Sequence, residues 1–129
     1  MSAQNCIDGL DNALKAAGEN IVLQRSIGDA PSATVYSANC RALVRSWRLH
    51  ETELVGGIDQ AMIIVTISPT DLARAQWGVN QAATAASPNP TDPQRGDFVI
   101  IAGVKRAIDA VEVMRVANKV VRYQMQALG

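Results

Sequence analysis

The segment "DFVIIAGVKRAIDAVEVMRVANKVVRYQMQAL", from Asp97 to Leu128, fixes more about this chain than any other stretch. It is apolar at alternate positions and is interrupted by turn residues, the signature of consecutive antiparallel strands. The pattern predicts a strand from Asp97 to Ala102, a turn at Gly103, a long strand to about Val116, a turn at Asn118-Lys119 and a last strand to Leu128. In that last strand Val121, Tyr123, Met125 and Ala127 share one face, and Arg122, Gln124 and Gln126 share the other. One side must face a core, and the other water or a partner.

Upstream, "NIVLQRSI" sets Ile21, Leu23 and Ile27 against Gln24 and Ser26, again a strand, and "GDAPSA" supplies turn residues. "TVYSANCRALVRSW" has two readings. As a strand it puts Tyr36, Ala38, Cys40, Ala42 and Val44 on one apolar face, with Ser37, Asn39, Arg41 and Arg45 toward solvent. As a helix it would align Arg41, Arg45 and Arg48 in a basic stripe and suggest DNA binding. Five consecutive small or apolar positions favour the strand. "AMIIVTIS" reads as a buried strand rich in β-branched residues. It runs into "SPTDLARAQW", where Ser68 can cap a short helix, Pro69 takes its first position and Asp71 can complete a capping box.

Two segments differ in kind. In residues 2–17, Ala3, Ile7, Leu10, Leu14 and Ala17 form one helical stripe, with Ser2 available as a cap and Gly18 as a left-handed stop. That stripe is expected to pack on its own domain, the alternative being a neighbouring subunit. Residues 78–96 carry Pro88, Pro90 and Pro93 among small and polar residues, so a mobile loop is expected, longer than compact domains usually tolerate. The fold class is mainly β with α: an N-terminal amphipathic helix over 1–18, then an antiparallel domain over 19–129 with one short helix and long loops.

Composition narrows the function. A chain of 129 residues, 48% hydrophobic and 19% charged, suits one globular domain with its own core. Its 12 basic and 12 acidic residues cancel, so no global field draws it to nucleic acid or an anionic membrane. Charge is uneven only at the C-terminal end, where Lys105, Arg106, Arg115, Lys119 and Arg122 outnumber Asp109 and Glu112. Cys6 and Cys40 lack metal-ligand spacing and are expected to be reduced thiols in the cytoplasm. The runs "MIIVTI" and "FVIIAGV" are far shorter than the ~20 residues of a membrane helix, and the first twenty residues lack a signal-peptide core.

The densest cluster of chemistry-bearing side chains is "RSWRLHETELVGG", with His50, Glu51 and Glu53 ahead of Leu54 and the pair Gly56-Gly57. A histidine beside carboxylates can act as a base, but no nucleophile or metal set accompanies it. The glycine pair lacks the further glycines and lysine of a phosphate-binding loop. A solvated loop is the expected state, and no catalytic residue, cofactor or metal is expected. Cys40 should pack as a small hydrophobe. Trp47 and Trp77 each read equally as a core plug or an interface anchor.

The order of these pieces resembles the phage head-closure proteins, also called stopper or head-completion proteins, of the head-to-tail connector. The likeness rests on "IVLQR" at 21–25, "CRALVRSW" at 40–47, "ELVGGIDQ" at 53–60, "VTISPTDL" at 65–72, "GDFVIIAGVKRAIDAVE" at 96–112 and "VVRYQMQALG" at the end. The helix before Glu19 departs from the shortest members. The resemblance implies a small β-barrel-like, non-enzymatic structural protein of the virion neck, assembled in the host cytoplasm as a homo-oligomeric ring, hexameric or dodecameric. Its implied partners are the portal or adaptor on one side and the tail terminator or tail-tube protein on the other, with packaged DNA nearby. A tail terminator or adaptor is the related alternative, and a small DNA-binding regulator the unrelated one. On this reading Trp47, His50, Glu51, Glu53, Leu54, Gly56, Gly57, Trp77, Pro88, Pro90 and Pro93 are expected to meet other proteins. Arg41, Arg45 and Arg48 are expected to face the lumen or DNA, and Arg41 and Arg45 to matter little to the monomer.

Overall fold

The structure is a computed structural model and describes residues 3–27, 34–48, 61–79, 81 and 90–128. A helix α1 (Ala3–Ala17) leads into strands β1 (Glu19–Ile27), β2 (Thr34–Arg48) and β3 (Ala61–Ile67), followed by a short helix α2 (Pro69–Arg74). Strands β4 (Phe98–Ile101), β5 (Val104–Val116) and β6 (Lys119–Leu128) complete the chain. The strands close into an antiparallel barrel in the order β1-β2-β3-β6-β5-β4, with β4 returning to β1. The fold is therefore the expected α+β type, and its barrel is closed.

The inward residues follow from strand parity. Ile21 and Leu23 on β1, Ala38, Cys40 and Ala42 on β2, and Val65 and Ile67 on β3 meet Tyr123, Met125 and Ala127 from β6. Leu23, Ala42, Val65, Ile67, Val99, Met125 and Ala127 are wholly inaccessible, so the barrel is filled by side chains rather than hollow. At about 25 cal/mol per Å² of apolar surface, each large aliphatic of this set contributes on the order of 1.5–3 kcal/mol.

The segment open to two readings is strand, paired with β1 over Thr34–Ala42 and with β3 over Ala42–Arg48. The basic helix that DNA binding would have required is absent there. Turns differ in detail from the expectation. The β5–β6 reversal sits on Ala117-Asn118, both at positive φ (52° and 64°), one residue earlier than Asn118-Lys119. Two successive positive φ values match the right-handed twist of a two-residue hairpin. Ala102 and Gly103 make the β4–β5 reversal in the same way.

Helix α1 packs within its own chain. Ile7 and Leu14 are buried, and polar contacts fix the helix along its length. Lys119 Nζ donates to Gln4 Oε1, Thr70 Oγ1 donates to Asp11 Oδ2 at 2.7 Å, and Arg41 Nε donates to the Leu14 carbonyl at 3.0 Å. Gly18 does end the helix, but not in the left-handed conformation expected of it. Its N–H bonds to the Leu14 carbonyl, and a Cβ there would lie 2.5 Å from that oxygen and 2.9 Å from the Ala42 carbonyl. Close approach of β2, not backbone handedness, demands the glycine. In α2, Ser68 caps as expected by accepting from the Thr70 N–H. Asp71 does not complete a capping box: its Oδ2 accepts from the Arg41 backbone N–H at 2.8 Å and its Oδ1 pairs with Arg74. The β2 main chain outcompetes the helix for this carboxylate.

Candidate functional site

The most organised polar cluster centres on Arg25, which is 3% exposed. Parity along β1 puts Arg25 on the same inward face as Ile21 and Leu23, just beyond Gln24, where pairing with β4 stops. Its five N–H donors all find acceptors. Nε and one terminal nitrogen grip Asp97 in a fork, at 2.9 and 2.8 Å, and that same nitrogen also donates to the Asp92 carbonyl at 2.8 Å. The other terminal nitrogen donates to Gln81 Oε1 at 2.8 Å and to the Pro90 carbonyl. The Trp77 ring lies 4.7 Å from the guanidinium carbon, a cation–π contact sheltered from water.

Asp97 is equally committed, since Oδ2 also accepts the Gln94 N–H and its carbonyl accepts the Ile108 N–H. Tyr123 Oη donates to Asp92 Oδ1 at 2.6 Å. Burial, then that hydrogen bond and the nearby carboxylate charge, push the Tyr123 hydroxyl well above the usual phenol range against the opposing pull of Arg115. Gly78, at φ +70°, lies so close to Pro90 that a Cβ would stand 2.0 Å from the Pro90 carbonyl oxygen. Arg25 thus ties Trp77 and Gln81 to Pro90, Asp92 and Asp97 at the barrel, holding the two ends of the 78–96 connection together.

This placement corrects part of the expected interaction set. Trp77, 3% exposed, is a core plug against Arg25 and offers no surface to a partner. Pro93 is buried as well, and Pro90 is half-buried with its carbonyl held by Arg25. Pro88, His50, Glu51, Glu53, Leu54, Gly56 and Gly57 lie outside the described residues, as do the side chains of Trp47 and Arg48. Arg45 is exposed. Arg41, however, is a fastener of the monomer: besides capping α1 through Leu14, it donates to Asn20 Oδ1. A cation at a helix C-terminus also meets the negative end of the helix dipole.

A second feature is an open groove of about 950 Å³ on the outside of the barrel, between α1, α2 and the β4–β5 turn. Asp11 and Lys15 of α1, Thr70 and Arg74 of α2, and Val22 and Ile100 from the strands are among its lining residues. Cys40 borders it from the core side, where burial and then the Asp71 carboxylate push the thiol up to about 12, with Arg74 opposing. A thiol so protonated is a packing group, not a nucleophile. Among the described residues no cluster of three or more His, Cys, Asp or Glu could hold a metal, and no helix is long and apolar enough to cross a membrane. Comparison with models of known protein families finds no match, and comparison with curated proteins finds none either.

Proposed function

We propose that this chain is a structural protein of the phage neck, a head-closure subunit that forms a ring between portal or adaptor and tail, retains packaged DNA and carries no reaction. The observation that supports this most is the match between the resemblance and the strand order. "IVLQR" falls on β1, "CRALVRSW" on β2, "VTISPTDL" across β3 and α2, "GDFVIIAGVKRAIDAVE" on β4 and β5, and the final "VVRYQMQAL" on β6. "ELVGGIDQ" lies outside the described residues. A side-chain-filled barrel with two long connections suits a scaffold that presents loops to neighbouring rings, and copies arranged in a ring multiply weak contacts by avidity. The DNA-binding regulator loses its main support, because Arg41, Arg45 and Arg48 lie on a strand.

The test is localisation in the finished particle. Antibody-gold against this chain should label the joint between head and tail and be absent from free tails. Label on isolated tails made without heads would assign the chain to the tail terminator instead, and label on neither would remove it from the connector.

A further inference from the structure

We infer that the β1–β2 hairpin of one copy seats in the α1–α2 groove of the next, joining copies head to tail; the inference rests on the ring reading and names its contact. Two features at opposite ends of one ribbon carry it. The first is an exposed apolar tip. Because β4 covers β1 only at Val22–Gln24 and β3 covers β2 only from Ala42, the ribbon made by Arg25–Ile27 and Thr34–Tyr36 has no third strand among the described residues. On it Ile27 is 41%, Val35 55% and Tyr36 39% exposed. Register puts Ile27 and Tyr36 on one face and Val35 on the other. Apolar side chains on both faces suit a ribbon inserted between two walls better than one lying on a flat surface.

The second feature is the groove. Its floor includes half-buried Val22 and Ile100, and its walls are α1 and α2. Charge fits the same occupant. From Ser26 to Cys40 the only charged residue is Asp29. At the groove both carboxylates are already held by their own chain, Asp11 by Thr70, and Asp71 by Arg74 and the Arg41 N–H. Exposed Lys15 on the α1 wall is left to answer an incoming acid.

Asn20, at the groove, and Ile27, at the tip, are separated by about 23 Å along one strand at ~3.3 Å per residue. Tip and groove are different surfaces, so a copy whose tip enters the next copy's groove leaves a free tip and a free groove at the two ends. Repetition builds a ring or an open filament, whereas reciprocal exchange of tips between two copies would instead close a dimer.

Paired cysteines test the contact in the full-length chain with Cys6→Ser as background. Val35→Cys is placed on the tip and Asn39→Cys in the groove, on the same strand face but about 13 Å apart at ~3.3 Å per residue, too far for an internal disulfide. Under oxidation at high protein concentration, the double variant should give a ladder of dimer, trimer and higher species on a non-reducing gel; a product that stops at dimer would mean reciprocal exchange of tips and would overturn the head-to-tail contact. Mixing the two single variants should stop at a dimer, and adding Lys15→Glu to the double variant should weaken the ladder. Matching unfolding curves confirm that the variants fold. Dimerisation of the Val35→Cys single variant as strong as in the mixture would mean tips meeting around a two-fold and would overturn the inference. Amine crosslinking that captures closed oligomers without the cysteine ladder would overturn this contact and leave the ring reading standing, whereas no oligomer by either route would sink both.

Discussion

Replacing Arg25 by methionine is the sharpest perturbation the fold offers. Methionine keeps most of the aliphatic stem but removes every donor that Asp97, Asp92, Pro90 and Gln81 now use. The Asp97 side chain is only 4% exposed, so its carboxylate would be left almost dry and without its counter-ion. Breaking a buried pair from one side costs about 3–5 kcal/mol, a large share of the stability of a small domain. Arg25→Lys restores the charge but not the fork, and should recover only part of that loss. Urea unfolding followed by circular dichroism gives each value. The informative comparison is the double variant Arg25→Met/Asp97→Leu, which removes both charges and should lose at least about 1.5 kcal/mol less than the sum of the single variants. A single-variant loss below about 1 kcal/mol, or strict additivity in the double, would refute the claim that this pair anchors Trp77, Gln81 and residues 90–97.

Other outcomes follow from the same geometry. Cys40 is the group to watch in alkali: its thiol is raised from 9.0 to about 12 in the folded chain, so between those values the unfolded chain releases a proton that the folded chain keeps. Its contribution is complete below pH 9 and falls as pH rises, by up to about 1.4 kcal/mol per unit. Cys40→Ala should flatten that decline between pH 9 and 10, below the ordinary phenol value of 10.0 above which Tyr123 adds a slope of the same sign; identical slopes in both proteins would contradict the assignment. Gly78→Ala must fit a Cβ against the Pro90 carbonyl at positive φ, and a loss of at least about 1 kcal/mol is expected in urea unfolding. Arg41→Ala removes the side-chain cap of α1 and should cost about 1 kcal/mol, whereas Arg45→Ala, on exposed surface, should stay within about 0.5 kcal/mol. Equal effects of those two variants would deny Arg41 its role in the monomer.

Strand content was legible because barrel strands with one face inward write their period into the sequence. The set Val121, Tyr123, Met125 and Ala127 is buried as the alternation demanded. Barrel closure was not legible, since period two says which face is buried but not that β1 meets β4, with Val22 opposite Ile100 and Gln24 opposite Phe98. Arg25 illustrates a different failure. It occupies an inward position between Leu23 and Ile27, and a charge at such a position is itself a signal of a buried partner. That partner, Asp97, lies 72 positions away at the foot of a proline-rich loop, where local pattern carries no information. Trp77 was ambiguous for the same reason, because the cation that makes it a core residue comes from another strand. Arg41 read as a solvated charge because its helix-capping role depends on α1 folding back over β2.

The central claim is that this chain closes the filled head and joins it to the tail, and electron microscopy of a lysate from phage lacking the gene tests it most directly. The account predicts complete free tails beside heads that have lost their DNA, with few joined particles. Normal, DNA-filled, joined particles in that lysate would contradict it.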